Sequence, residues 1–193
     1  MTVQFRPHVR ADIERAFPNL ANVEWQIKSP FDDEYQCIAW AACYTDRHMW
    51  PSTPPYWWFP NPNLPLAPIP EEASVDCFLQ GFKLLGYEPC SSRKFELGYQ
   101  KVAIYANDLG VTHMARQHFF GRGWLSKLGV LEDISHRNLE DVEGDMSPLA
   151  YQYGTVAQVL RRSWWSAIIR LCLVRSSWAA LRFWLYRLVH SYH

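Results

Sequence analysis

The sequence has few cysteines, and no two of them lie close together. The count is five, an odd number. An odd count without close pairs argues against a disulfide framework and against a zinc ribbon. The amino-terminal stretch MTVQFRPHVRADIERAF also lacks an apolar run of signal-peptide length. We therefore expect a protein of the reducing cytoplasm, and no motif in the sequence predicts a cofactor.

Acidic residues are absent from the end of the sequence. All 19 lie at or before Asp145, together with 13 of the 19 lysines and arginines, so residues 1–145 carry a net charge of −6 and the remainder carries +6. Residues 163–193 are apolar and aromatic with an arginine every few positions. No apolar run there approaches the roughly 20 residues of a membrane span.

We predict that residues 163–193 form a basic, aromatic C-terminal helix. One interpretation is that this helix lies on a membrane surface or on a protein partner, with its arginines reaching toward polar surroundings. The alternative is that it packs back onto the acidic body of the protein. Nucleic acid is not an expected partner, because the arginines are embedded among apolar residues rather than set out for phosphates.

Prolines are concentrated in one segment. Eight of the 13 lie between Trp50 and Pro70, in the sequence WPSTPPYWWFPNPNLPLAPIP. No helix or central strand tolerates that density, so the pattern predicts a long extended loop. Such a loop either serves as a lid or binding edge or simply covers the sheet.

The remaining pattern predicts an α+β fold. Residues 101–128 read as two strands around the turn Asn107-Asp108-Leu109-Gly110, followed by a third strand. Val75, Phe78, Leu79, Phe82 and Leu85 have helical spacing. We predict one domain over residues 1–162, with two or three helices against an antiparallel sheet of about four to six strands.

Cys37 and His113 are the candidate catalytic pair. Three acidic residues precede a predicted helix, and Cys37 lies in the first turn of this helix or just before it. A thiol at such a position can ionise more easily. In the second hairpin strand, His113 shares a face with Val111 and Ala115. A cysteine beside an imidazole can attack an amide or a thioester, with backbone N–H groups at Cys37 as the oxyanion site.

A third polar residue would orient His113. Ser126 on the next strand is the first choice, and His136 or Asp133 beyond it is the alternative. The competing interpretation is that the cysteine and the histidine are ordinary core residues. We also expect Cys43 to be a core residue.

Two further sites are weaker candidates. A metal could be held by ligands from a dispersed set, although none of them has the short spacing typical of zinc: Cys37, Cys77, Cys90, His113 and His136. Arg116 and Lys127 are expected on the exposed face of their strands. They would bind an acidic substrate or simply be solvated.

Several short motifs occur together in this sequence: CIAWAA from Cys37, GYEPC from Gly86, KVAIYA from Lys101, THMARQ from Thr112, WLSKLG from Trp124 and DISH from Asp133. The set resembles an uncharacterised family of small bacterial domains, over about Phe31 to Arg162. More distantly, the helix-start cysteine and the hairpin are similar to the papain-like superfamily, including cell-wall amidases.

The papain-like resemblance implies a specific placement of the catalytic residues. In the amidases the catalytic histidine opens the first hairpin strand, which is Lys101 here, and His113 corresponds to their third polar residue. The expected function is a cysteine-dependent hydrolase or acyltransferase. The alternative is a non-catalytic binding module that works through the Trp/Pro-rich loop and the C-terminal helix.

Overall fold

The structure is a computed structural model that describes residues 8–51, 73–121, 123–129, 131–144 and 153–165. Most of the Trp/Pro-rich loop and most of the predicted C-terminal helix lie outside these residues. The described elements are the helices α1 Val9–Ala16, α2 Cys37–Ala41 and α3 Val75–Leu84, the 3₁₀ helices Pro18–Asn22 and Leu139–Val142, and the strands β1 Trp25–Ile27, β2 Glu88–Cys90, β3 Tyr99–Asn107, β4 Gly110–Gln117, β5 Trp124–Lys127, β6 Asp133–His136 and β7 Thr155–Ser163.

The seven strands form one sheet in the order β1-β6-β5-β4-β3-β7-β2. Every neighbouring pair is antiparallel. The predicted α+β class with an antiparallel sheet is confirmed, and the described sheet has more strands than the four to six expected. The additional strand is β6, which pairs with both β1 and β5.

Helices cover the sheet on both sides. On one side α2 and α3 pack against Val102, Ile104 and Met114, and we call this the α2 face. On the other side α1 and the first 3₁₀ helix pack against Ala103 and Tyr105, and we call this the α1 face. Successive residues of a strand point to opposite faces, so the buried run in the middle of β3 serves both cores.

The β3–β4 turn is fixed by side-chain chemistry and by a neighbouring segment. The Leu109 N–H donates to Asn107 Oδ1 at 2.9 Å, which closes the turn. Gly110 has a φ of +120°, and a Cβ there would lie 2.7 Å from the Ala73 carbonyl oxygen. The next N–H, that of Val111, donates to the same oxygen at 2.7 Å. The turn is therefore docked onto Ala73, two residues before α3 begins.

Side-chain caps set where α2 and α3 begin. The Ala39 N–H donates to Gln36 Oε1 at 2.9 Å, and this bond places Cys37 at the first position of α2, as predicted. The Cys77 N–H donates to Ser74 Oγ at 3.3 Å, so α3 begins at Val75, the first residue of the predicted helical spacing.

Candidate functional site

Three of the residues singled out from the sequence meet on the α1 face. His113 Nε2 lies 3.0 Å from Ser126 Oγ, and Ser126 Oγ lies 2.9 Å from His136 Nε2. The three residues come from the adjacent strands β4, β5 and β6. We call them the histidine network.

The hydrogen-bond partners assign the protons of the histidine network. His136 Nδ1 lies 2.7 Å from the Asn138 carbonyl oxygen, which can only accept, so Nδ1 carries the proton. His136 Nε2 therefore accepts from the Ser126 hydroxyl, and Ser126 Oγ in turn accepts from His113 Nε2–H. This leaves His113 Nδ1 as a buried acceptor for which the described residues provide no donor.

The histidine network is sealed and neutral. The exposed fractions are 0% for His113 and Ser126 and 2% for His136. The His113 ring is stacked on Tyr153, with ring centroids 4.0 Å apart and an interplanar angle of 5°. Burial holds the pKa of His113 well below its ordinary value, with a further contribution from His136, and burial also lowers the pKa of His136. The network can orient its own members, but it offers no exposed nucleophile.

The structure does not bring Cys37 and His113 together. Cys37 is packed in the hydrophobic cluster of the α2 face with Met114, whereas His113 contacts Tyr105 and Tyr153, which belong to the cluster of the α1 face. The sheet therefore lies between the thiol and the imidazole. Burial raises the pKa of Cys37 to about 11, despite hydrogen bonding from the backbone N–H of Met114. The thiol is thus protonated at neutral pH, and His113 is not placed to act as its base.

Asp133, the last alternative for an orienting residue, belongs to a different group of side chains on the α2 face. Lys127 Nζ donates to the Leu131 carbonyl oxygen at 2.5 Å, lies 3.7 Å from Asp133 Oδ1 and sits 4.5 Å from the centre of the Tyr35 ring. The Tyr35 hydroxyl donates to Asp133 Oδ2 at 3.2 Å. We call Tyr35, Lys127 and Asp133 the lysine cluster.

The predicted exposure of Arg116 and Lys127 is wrong. Their exposed fractions are 4% and 0%, because α2 covers the face that the strand pattern assigns to solvent. Burial lowers the pKa of Lys127 and raises that of Asp133, while the Coulombic attraction between the two opposes both shifts. Lys127 and Asp133 therefore form a buried pair rather than a docking site for an acidic substrate.

Cys43 is not the core residue that the sequence suggested. It is partly exposed and follows α2 with a φ of +70°, a backbone conformation that is uncommon for residues other than glycine. Arg116 Nη1 donates to Cys43 Sγ at 3.3 Å. Little in the sequence indicates this conformation. Cys43 directly follows the end of a helix, a position that glycine usually occupies.

Aromatic and apolar side chains, four of them exposed and two half-buried, gather at the end of the sheet where β3 begins and β7 ends. We call this the aromatic patch, and it consists of Phe95, Leu97, Phe119, Phe120, Trp164 and Trp165. The exposed fractions of Leu97, Phe120 and Trp165 are 77%, 70% and 72%.

Ring contacts and one backbone bond hold the aromatic patch together. Phe119 stacks on Trp164 with centroids 4.5 Å apart, and Phe120 packs edge-on against Phe119 at 5.0 Å. The Trp164 N–H donates to the carbonyl oxygen of Gly98, next to Leu97, at 2.9 Å. The feature of the sequence that indicates this patch is the pair Phe119-Phe120. The pair lies in the connection between β4 and β5, outside any strand that could direct its side chains into the core.

Within the described ranges, no three or more histidine, cysteine or acidic side chains are arranged to hold a metal ion. The five dispersed candidate ligands do not converge there: His113 and His136 are in the histidine network, and Cys37 and Cys77 are in the α2-face cluster. Among the helices of the described residues, none has the length and apolarity to cross a membrane.

Comparisons with known proteins give a family but no activity. No curated protein and no solved structure matches the chain. A family described as a domain of unknown function, DUF7689, matches residues 26–161, nearly the same range as the resemblance seen in the sequence motifs. The chain therefore belongs to the DUF7689 family.

Proposed function

We propose that this protein is a non-catalytic interaction module that binds an anionic membrane surface through the aromatic patch and the basic sequence that follows it. The observation that carries the proposal is the continuity of the two features. β7 ends at Ser163, Trp164 and Trp165 belong to the patch, and the next residues in the sequence supply four more arginines and no acidic residue.

The chemistry of the aromatic patch suits a membrane interface better than water. Phe120 and Trp165 expose most of their surface, in a patch of six neighbouring aromatic and apolar residues, and exposed patches of this kind mark interaction sites. Tryptophan is enriched where membrane and water meet, and nearby arginines add attraction to anionic headgroups. The predicted helix over residues 163–193 would place these groups along the surface.

The cysteine hydrolase expected from the sequence is the weaker candidate. It requires an ionised thiol near a base, whereas Cys37 has a pKa raised to about 11 and lies on the sheet face opposite His113. A papain-like arrangement of the fold and the division into residues 1–162 and 163–193 stay predictions, as do the cytoplasmic location and a peptide, amide or thioester substrate.

Flotation of the full-length protein with lipid vesicles tests the proposal. We expect binding to phosphatidylcholine vesicles that contain phosphatidylserine, and weaker binding to phosphatidylcholine alone. A buried large apolar side chain contributes about 1.5–3 kcal/mol, so the double variant Phe120→Ser, Trp165→Ser is expected to bind more than about tenfold more weakly.

The matched control is Leu109→Ser. Leu109 is 93% exposed at the β3–β4 turn, at the other end of the strands from the patch, and its replacement is expected to leave binding unchanged. Equal loss in both variants, or no flotation with either vesicle type, would overturn the membrane proposal. A protein partner would then be the occupant to seek.

A further inference from the structure

Three side chains from three different strands meet around the sulfur of Cys43. Cys43 follows α2, Gln100 is on β3, Arg116 is on β4 and Arg162 is on β7. Arg116 Nη1, Gln100 Nε2 and Arg162 Nη2 lie 3.3, 3.7 and 3.9 Å from Sγ. We call these four residues the arginine cluster.

Both amide atoms of Gln100 lie near the sulfur, with Nε2 at 3.7 Å and Oε1 at 4.0 Å from Cys43 Sγ. Gln100 Oε1 accepts from the Tyr87 hydroxyl at 3.1 Å and from Arg162 Nη2 at 2.7 Å. Both lone pairs of the amide oxygen are therefore used, and the Gln100 amide N–H₂ is left to donate to Sγ. The sulfur accepts from one amide and two guanidinium groups, which are the surroundings that an anion requires.

The two guanidinium groups are fixed in place rather than free to turn away. Arg116 lies 3.9 Å above the Trp40 ring and donates to the Trp40 carbonyl oxygen at 3.3 Å. Arg162 lies 4.5 Å above the Tyr87 ring. Its exposed fraction is 8%, and no carboxylate among the described residues lies within 4 Å of it. The cluster thus holds buried positive charge beside a group that can become an anion.

The energetics of the thiol follow from this arrangement. Burial opposes ionisation of Cys43, but the charges of Arg116 and Arg162 outweigh it, and the net effect lowers the pKa of the thiol. Cys37 and Cys77 differ in this respect, since burial raises the pKa of each to about 11. Partial exposure together with neighbouring cations is the usual environment of a reactive cysteine.

We propose that Cys43, held by Arg116, Arg162 and Gln100, is a site of oxidation by hydrogen peroxide. A sulfur lone pair attacks one peroxide oxygen, so an S–O bond forms while the O–O bond breaks. Hydroxide leaves and takes a proton from solvent to give water. The sulfur is oxidised to the sulfenic acid level and the peroxide is reduced.

The arginine cluster can also hold the product. Arg162 Nε is buried and finds no acceptor among the described residues, so the cluster keeps an unused donor for an added oxygen. The positive φ of Cys43 adds a second reason to expect a specific role, because non-glycine residues in this strained conformation cluster at functional sites.

The test is site-resolved labelling of the full-length protein by mass spectrometry. Iodoacetamide alkylation of each cysteine is followed against pH, folded and in urea. The pH midpoint for Cys43 is expected to lie below the ordinary thiol value of roughly 8.5 when folded and to return to it in urea. Dimedone added after hydrogen peroxide is expected to label Cys43 and not Cys37 or Cys77.

Two arginine variants separate the proposal from a general effect of charge. Arg162→Gln is expected to raise the Cys43 midpoint toward the urea value. Arg161→Gln removes the adjacent arginine, which instead pairs with Glu88 and Glu96, and is expected to leave the midpoint unchanged. A folded midpoint at or above the urea value, or no dimedone on Cys43, would overturn the proposal. The wild-type comparison stands even if a variant fails to fold.

Discussion

Strands β4, β5 and β6 each place buried polar residues on both faces of the sheet, and the two faces stabilise these residues differently. On the α1 face the residues form the neutral histidine network. On the α2 face they are Arg116, Lys127 and Asp133, which the attraction of opposite charges helps to hold. A neutral network needs every hydrogen bond satisfied, whereas a buried ion needs an opposite charge.

This comparison explains why Cys37 and His113 do not form a catalytic pair. The histidine network is buried on the α1 face, and the thiol of Cys37 lies in the hydrophobic cluster of the α2 face. The polar groups of both faces are engaged mainly with one another. Among the described residues, the proposed functions lie instead at the aromatic patch and at the partly exposed Cys43.

The largest effect is expected from breaking the ion pair of the lysine cluster. Lys127→Met keeps most of the side-chain volume and removes the charge, which leaves Asp133 buried without its cation. Such losses cost about 3–5 kcal/mol. Urea denaturation measures the change in the free energy of unfolding. The control Lys94→Met, at an exposed position, should change the free energy of unfolding by less than about 0.5 kcal/mol. An equally small change for Lys127→Met would show that the pair of Lys127 and Asp133 contributes nothing to stability.

A smaller effect is expected from removing the hydroxyl of the histidine network. Ser126→Ala leaves His113 Nε2 and His136 Nε2 buried without their common partner. We expect a loss of about 2–3 kcal/mol in the free energy of unfolding, because unsatisfied buried polar groups carry a desolvation penalty. Ser135→Ala, on the other face of β6, is the matched control. The description of the network is wrong if the two variants are equally stable.

The smallest change in the free energy of unfolding is expected from lowering the pH by one unit. The folded pKa values of His113 and His136 are lower than those of the unfolded chain, so below about pH 6.5 the unfolded state binds more protons than the folded state. Stability is therefore fully present above that pH and is lost as the pH falls, by up to about 1.4 kcal/mol per pH unit for each histidine.

Urea denaturation between pH 7.5 and 5.5 measures this slope. His136→Asn is expected to reduce it, whereas His8→Asn, at an exposed position, should not. A wild-type stability that is constant or rises on acidification would contradict neutral, buried histidines. It would also remove the main contrast with the charged α2 face.

The sequence predicted the features that depend on nearby residues. The β3–β4 hairpin follows from alternation in Lys101–Ala106 and from the turn at Asn107, and the side chain of Asn107 closes that turn. The cap that places Cys37 at the start of α2 is also local. The four residues of β6 were not assigned as a strand, because a short Asp-Ile-Ser-His segment has a clear role only between β1 and β5.

The features that sequence reasoning missed depend on which side of the sheet each helix covers. Alternation correctly separates His113 from Arg116, but it does not say that α2 covers the second face and buries the arginine. The same omission allowed Cys37 to be paired with His113 across the sheet. The arginine cluster escaped notice because its members come from β3, β4, β7 and the end of α2, which no spacing in the sequence relates.

The docked turn between β3 and β4 has a consequence for how this protein can vary. Exposed hairpin turns usually tolerate insertions. Here the Val111 N–H is bonded to the Ala73 carbonyl oxygen, and Gly110 leaves no room for a side chain against it. One added residue would shift the register of this contact and detach the start of α3, so relatives that keep the contact are expected to keep the length of this hairpin unchanged.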